Sequence, residues 1–576
     1  MIIIKGIPAS PGIAIGKAYV LEDEEIVVER REIPRDKIRA EVKRFRQALE
    51  KTQVDLDAAK AKVLHMLGKQ HAKLIDTHRL ILKDPLITRE VTRKMVSEQI
   101  NAEFALSETL DQADRDFEKI EDEFFRERKH DLFDVGKRLL GHLTRQTKKP
   151  LSEITEPAVI IAHNLYPSDT LHLRESRVLG FCMNLGNRAS HTAILAQSME
   201  IPAVVGLSDV TRQVKTGDTV IVDGEQGLVI IAPGPEAVTK YQKAQELAVK
   251  EERHLENLRG MPSVTRDGHK VALMANVDTL DDIKNIVALK TDGIGLLRTE
   301  FLYLNRNNAP EEEEHLTVYK QAADALAPLP VVIRTADIGG DRLTEFGLGS
   351  AKGETNPFMG LRGVRLFLRH PDLMKTQLRA MLMASVKGNV KIMLPMIASL
   401  GEIRAVKKII NEIKQDLVRE GMRIEGAVAL GIMVEIPAAA LTLDLLLTEA
   451  DFVSIGTNDL IQYILAVDRI NQHVSQMYDP FHPAVLRIIN LIVQSAHQKG
   501  KTVSVCGEMA SDPKAVPILV GLGVDILSVS QRMFLRIKHA IRGMRFETCS
   551  AMMQNALGLP TSDDVQKLLA STATQK

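Results

Sequence analysis

Arg298 in GLLRTEF and Arg334 in VVIRTADIGGDR each end a short apolar run, and Arg362 in NPFMGLRGVR and Arg469 in AVDRIN lie in later loops. A guanidinium offers paired donors in a fixed plane, a shape that suits carboxylate and phosphate oxygens. Any one of these arginines reads equally as half of an ion pair. Several at one end of a fold imply a small, multiply anionic substrate. Glu435 in GIMVEIPAAA and Asp459 in SIGTNDL follow further apolar runs, where a carboxylate is costly to bury without a cation. The two could share one Mg²⁺ and leave its other positions to water and substrate oxygens, or they could be ion-paired scaffold carboxylates. Asn458 stands beside Asp459 as a donor to an anionic oxygen. Cys506 in VSVCGEMASDP follows a run of the same kind. A buried cysteine is ordinarily inert packing, but among arginines and a metal site it becomes a candidate general acid. Cys182 and Cys549 have no such surroundings and read as structural.

A second constellation lies far away in the chain. In GNRASHTAILAQSMEIPAVVG a polar, glycine-containing loop leads to Ser190 and His191, where a helix is expected to begin. Helix-start amides favour an anion and disfavour imidazolium, which keeps a ring nitrogen lone pair available as a nucleophile. Arg188 could neutralise an incoming phosphate. The alternative is a surface or capping histidine.

The elements that would position these residues follow from texture. The first 22 residues read as short strands punctuated by Gly6, Pro8, Pro11, Gly12 and Gly16. From Pro34 to Leu143 glycine and proline almost vanish, and Ile38, Val42, Phe45, Leu49, Leu56, Ala59 and Val63 recur at helical steps, with breaks expected near Gly68 and Pro85. Strand texture returns after Pro150 and includes a hairpin-like TVIVDGEQGLVII with its turn at Asp223–Gly227. Residues 1–22 and 150–233 therefore read as one small α/β domain with an all-α unit, 34–143, inserted in it. Residues 236–260 read as a charged linker helix. Beyond 263, eight apolar runs alternate with helical patterns to the end at 576, which fits a (β/α)8 barrel. Asn276, Arg298, Arg334, Glu435, Asn458, Asp459 and Cys506 fall at or just after the C-terminal ends of those runs, the face on which barrel active sites are built.

Composition bounds the function. The 576 residues are too many for one core, and a soft prior of one domain per ~150 residues gives roughly three to four. Lys plus Arg is 75 and Asp plus Glu is 75, so no global field holds the chain on nucleic acid or anionic lipid, and any phosphate-handling site must be local. Three dispersed cysteines exclude a disulfide scaffold, and the apolar stretch 427–447 carries Glu435 and Asp444, which argues against a membrane span. A cytoplasmic, multidomain protein is expected.

The motifs SPGIAIGKA, DVGKRLL, NRASHTAILA, GIGLLRTEF, RTADIGGD, NPFMGLR, VEIPAA, IGTNDLIQY, AVDR and VCGEMASDP, spread over essentially the whole chain, resemble those of Enzyme I of the bacterial phosphotransferase system, the phosphoenolpyruvate–protein phosphotransferases. Several are shared with pyruvate phosphate dikinase and phosphoenolpyruvate synthase, but the inserted segment containing LIDTHRLILKDP and RERKHDLFDVGKRLL is characteristic of Enzyme I. The resemblance implies that phosphoenolpyruvate binds at the barrel mouth with Mg²⁺ on Glu435 and Asp459. Arg298, Arg334, Arg362, Arg469 and Asn458 would hold it, and Arg342 takes the place of a phosphate-contacting lysine. His191 would attack phosphorus and Cys506 would protonate the enolate. The swivelling α/β domain would then pass the phosphoryl group to a histidine of the carrier protein HPr, docked on the helical domain, within a homodimer formed by the barrels. Asn187 and Ala189 replace a glycine and a threonine of the family's histidine loop. Ile436 and Ile461 stand where threonines are common and Leu361 where tryptophan is typical. Gln531–Met533 replaces a small, Ser/Ala-rich segment. Two other readings stay open: a dikinase-like partial enzyme, marked by transfer to nucleotide, and a non-catalytic sensor, marked by binding without pyruvate formation.

Overall fold

The computed structural model describes residues 1–21, 28–117, 123–144, 156–165, 177–186, 192–193, 196, 201–304, 306, 308–339, 356–422, 424, 427–469, 471 and 473–573, with backbone alone for 62–74, 114, 117, 123–131 and 572–573. These residues fall into two compact units, Met1–Lys250 and Glu251–Lys576.

In the first unit, β1 (Ile2–Lys5), β2 (Ile7–Ser10), β3 (Ile13–Leu21), β4 (Ala158–Ala162), β5 (Val178–Met183), β6 (Ala203–Val205), β7 (Thr219–Asp223) and β8 (Leu228–Ile231) form one mixed sheet in the order β1-β8-β7-β3-β4-β5-β6-β2. The β7–β8 hairpin turns on Asp223, whose Oδ1 accepts from the amides of Glu225 and Gln226 at 3.1 and 2.9 Å. That local bond is the reason an aspartate suits the position. Cys182 packs in the apolar layer of Val159, Ile161, Val204 and Val222.

Between β3 and β4 lie the helices Ile38–Leu82, Val91–Glu98, Ala102–Phe117 and Glu123–Thr144. They bury their own core, in which Phe45, Leu56 and Ile75 meet Leu106, Val135 and Leu139. The first helix runs 45 residues and does not break at Gly68. A single interior glycine costs a helix only about 1 kcal/mol, less than such a long packed helix recovers. It stops before Pro85, which has no amide to continue the ladder.

The second unit is a closed barrel of eight parallel strands: β9 (Ala272–Val277), β10 (Ile294–Leu297), β11 (Val331–Arg334), β12 (Val390–Leu394), β13 (Leu430–Val434), β14 (Val453–Ile455), β15 (Val503–Val505) and β16 (Ile526–Val529), with β16 pairing back to β9. The pleat sorts their side chains. Leu296, Val332, Met393 and Met433 fill the lumen with Phe452 and Cys506. Their strand neighbours Leu297, Ile333, Ile392, Leu394, Ile432 and Val434 pack in the larger outer core with residues of the surrounding helices. The helix Leu400–Arg419 shows how the outer ring is encoded. Ile403, Val406, Ile410, Ile413 and Leu417 are buried at steps of three and four, behind a capping box made by Ser399 and Glu402.

Candidate active site

Each strand of the barrel delivers its last residues to the same rim. Glu435 follows β13 directly, whereas Asp459 lies in the first turn of the helix Thr457–Leu465 that follows β14. Asp337 comes from the loop after β11. One carboxylate oxygen from each of the three lies within 4.8 Å of the others.

Three carboxylates at that spacing repel, and the consequence is visible in Glu435. Burial, then the charges of Asp337 and Asp459, push its pKa up to about 8, against the pull of Arg334 and of the Met396 amide that donates to its Oε1 at 2.6 Å. Asp337 has the opposite fate. Burial alone would raise its pKa, but Arg334 and Arg362 hold it below the ordinary carboxylate range. Asp459 Oδ1 is buried and, among the described residues, accepts no hydrogen bond. Crowded buried carboxylates, one with an unsatisfied oxygen, are a donor set that a small divalent cation fits.

Three of the predicted arginines, Arg334, Arg362 and Arg469, contact this cluster, and Arg298 follows β10 on the same rim. Arg334 donates to Glu300 Oε1 at 2.9 Å and lies 3.7 Å from Asp337 Oδ2 and 3.6 Å from Met433 Sδ. Arg362 forks onto Asp337, with Nε and Nη2 at 3.0 and 2.6 Å, and its Nη2 also reaches Asp459 Oδ2 at 3.2 Å. Arg469 lies 3.5 Å from Asp459 Oδ1, and Arg298 donates to Asp278 at 2.8 Å. Burial works against the charge on Arg334 and Arg362, yet their carboxylate partners hold both above the usual guanidinium range. Each arginine therefore has an ion-pair partner, and all four still converge on one rim.

Asn458 and Glu508 exchange hydrogen bonds, Asn458 Nδ2 donating to Glu508 Oε1 at 3.1 Å and the Glu508 amide to Asn458 Oδ1 at 2.8 Å. The close approach depends on Gly507, where a Cβ would fall 1.9 Å from Thr457 Oγ1. Cys506 is buried beside Ser454, whose hydroxyl donates to its sulfur at 3.2 Å, and burial pushes the thiol's pKa up. His191, Arg188, Ser190 and Arg342 lie outside the described residues. Next to the histidine, Thr192 is buried and its hydroxyl donates to Leu165 O at 2.7 Å.

Sequence reasoning passed over Asp337, Glu300, Asp278, Ser454 and Glu508. Asp337 and Glu300 each lie within three residues of a selected arginine, and that proximity was the available signal. The apolar replacements Ile436, Ile461 and Leu361 all pack on the barrel core, and Gln531–Met533 forms a single 3-10 turn after β16.

Residues 252–546 match the family described as PEP-utilising enzyme, PEP-binding domain. Residues 5–128 match PEP-utilising enzyme, N-terminal, and 154–227 match PEP-utilising enzyme, mobile domain. A phosphoenolpyruvate-protein phosphotransferase of Bacillus sp. (strain S) is 44% identical over 99% of this chain and 98% of its own length. This chain belongs to the phosphoenolpyruvate–protein phosphotransferases. Proteins of the same name from Geobacillus stearothermophilus and Bacillus subtilis (strain 168) are 44% and 42% identical over 99% of this chain, covering 98% and 99% of their own lengths. Within this phosphotransferase the matched PEP-binding segment spans all eight barrel strands, and the matched mobile segment spans β4 to β7. Among the described residues no helix is long and apolar enough to cross a membrane.

Proposed function

We propose that the chain transfers the phosphoryl group of phosphoenolpyruvate to its own His191, releases pyruvate, and passes the phosphoryl group on to a histidine of the carrier HPr. The observation that carries this reading is the rim itself: three buried carboxylates within 4.8 Å, ringed by arginines, at the C-terminal ends of barrel strands.

Glu435 and Asp459 would hold Mg²⁺, which when bound supplies charge neutralisation at the phosphate and enolate oxygens. The chain's own groups do the rest. Arg334 and Arg362 present planar forks to the substrate's phosphate and carboxylate, in exchange for the carboxylate oxygens they now hold. Arg298, Arg469, Arg342 and Asn458 complete the clamp, fixing phosphorus in line with the approaching imidazole. His191 Nε2 or Nδ1 forms the N–P bond as the P–O bond to enolpyruvate breaks, and the departing enolate takes its proton from the Cys506 thiol. The small α/β domain then swings away, and HPr receives the phosphoryl group while docked on the helical insert. We read the assembly as a homodimer through its barrels, working in the cytoplasm.

An intact-mass spectrum after incubation with phosphoenolpyruvate and Mg²⁺, with pyruvate assayed in parallel, tests the first half-reaction. One acid-labile phosphoryl group mapped to His191, and absent from His191→Ala, is the expected result. Phosphorylation of that variant would refute the assignment. Binding with neither adduct nor pyruvate would favour the sensor reading.

A further inference from the structure

The thiol of Cys506 is held at both ends. Its residue's carbonyl accepts from Asn276 Nδ2 at 3.2 Å, and Asn276 is itself fixed by Ser528 Oγ, which donates to its Oδ1 at 2.6 Å. On the side-chain end, β14 and β15 pair in parallel with Ser454 opposite Ser504, so Cys506, two residues on, returns to the face that Ser454 occupies. The Ser454 hydroxyl, fully buried, donates to Cys506 Sγ at 3.2 Å, while the S–H points along a long 3.7 Å contact to Ile455 O.

A hydroxyl donating to a neutral thiol is a weak bond, but the same bond to a thiolate is charge-assisted. In the reaction the S–H bond breaks, the enolate's double-bond pair forms the new C–H bond at the methylene carbon, and the S–H electron pair stays on sulfur. Charge thus appears on Cys506 in a lumen lined by Leu296, Val332, Met433 and Phe452, where it is poorly solvated. Ser454 is already aimed at that atom before the charge arrives, so no reorganisation is needed when it does.

We propose that Ser454 is a positioning residue for proton delivery, its hydroxyl orienting the Cys506 thiol and stabilising the thiolate left after the enolate is protonated. The inference rests on Cys506 being the enolate's acid. The burial that raises the thiol's pKa, and the opposing pull of Ser454 and then Arg334, agree with that role.

The test is steady-state pyruvate formation by the full chain carrying Ser454→Ala, Cys506→Ala or both, with phosphoenolpyruvate, Mg²⁺ and the carrier supplied. Ser454→Ala should lower kcat about tenfold, the order expected for a hydrogen bond to a charged acceptor, and leave KM for phosphoenolpyruvate within about twofold. Its solvent deuterium isotope effect should rise as proton transfer becomes more limiting. In the Cys506→Ala background the serine change should cost nothing more. An unchanged kcat, a kcat loss matched by a rise in KM, or additive losses in the double variant would each remove Ser454 alone and leave Cys506 standing. Full turnover by Cys506→Ala would instead bring down the reading of Cys506 and the inference with it.

Discussion

Asp459 carries two burdens at the residue scale. Its Oδ2 accepts from Arg362, while its buried Oδ1 accepts no hydrogen bond among the described residues and meets Arg469 at 3.5 Å, so a cation at that oxygen displaces a long ion pair rather than a hydrogen bond. Asp459→Asn should raise the Mg²⁺ concentration for half-maximal pyruvate formation at least about tenfold, since a carboxylate is a far better ligand for a hard cation than an amide. An unshifted Mg²⁺ titration would take Asp459 out of the metal site. Arg362→Lys probes the anion clamp. The guanidinium spans Asp337 and Asp459 at once, a geometry no ammonium can copy, so KM for phosphoenolpyruvate should rise about tenfold or more. An unchanged KM would leave Arg362 as a scaffold ion pair. Asp459 was legible because a charge soon after an apolar run stands out, and Arg362 because it is one of several arginines in the loops between such runs. Asp337 was not, because a carboxylate in a polar, glycine-rich stretch such as TADIGGD looks solvated, and only the folded chain shows it buried between two arginines.

At the scale of elements, the arginine-bearing loops rest on a buried polar network. Thr299 donates to Arg334 O at 3.0 Å. Gln377, from the helix Pro371–Ala384, donates to the Thr299 hydroxyl and to Tyr319, and accepts from the Ala336 amide at 3.1 Å. Tyr319 in turn meets His315 Nδ1 at 2.9 Å, and both lie on the helix Glu312–Leu326. Burial lowers the pKa of His315 from 6.5 to about 4. The unfolded chain therefore binds a proton between those values that the folded chain refuses, so stability is full above the upper value and falls as the pH drops toward the lower one. The loss should approach ~3 kcal/mol, because each tenfold difference in proton affinity between the folded and unfolded chain is worth about 1.4 kcal/mol. Urea unfolding at pH 7 and pH 4.5 should show a larger loss for the wild-type chain than for His315→Gln, which cannot titrate. Equal losses would contradict the assignment. The barrel strands were readable as short apolar runs, buried on both faces, and the outer helices as the helical patterns between them. The misplaced break at Gly68 reflects a real limit of such reading, since local propensity competes with packing that only long-range contacts reveal.

At the scale of the whole molecule, the proposed chemistry is divided. The phosphoenolpyruvate site belongs to the unit Glu251–Lys576, while His191 and the helical insert belong to Met1–Lys250. The insert also has a covalent duty. β3 and β4 are neighbours and parallel, with Lys17 opposite Ala158 and Leu21 opposite Ala162, so the chain leaving Leu21 must return about a strand's length, ~17 Å, before β4 can start. Parallel neighbours need a crossover of a dozen or more residues, and the helices between Ile38 and Thr144 form it. They also bury a separate apolar core, with Phe45, Leu106 and Val135 fully enclosed. Replacing residues 34–143 by a flexible linker of about 15 residues should therefore keep the β3–β4 pair and remove the proposed docking surface. Such a chain should still take one phosphoryl group from phosphoenolpyruvate onto His191 and release one pyruvate in a single turnover. It should not pass the group to HPr, so intact-mass spectra would show a phosphorylated enzyme persisting beside an unmodified carrier. Transfer at an undiminished rate would move the docking surface off the helices. Loss of the first phosphorylation as well would mean that the crossover positions the histidine loop, not the carrier alone.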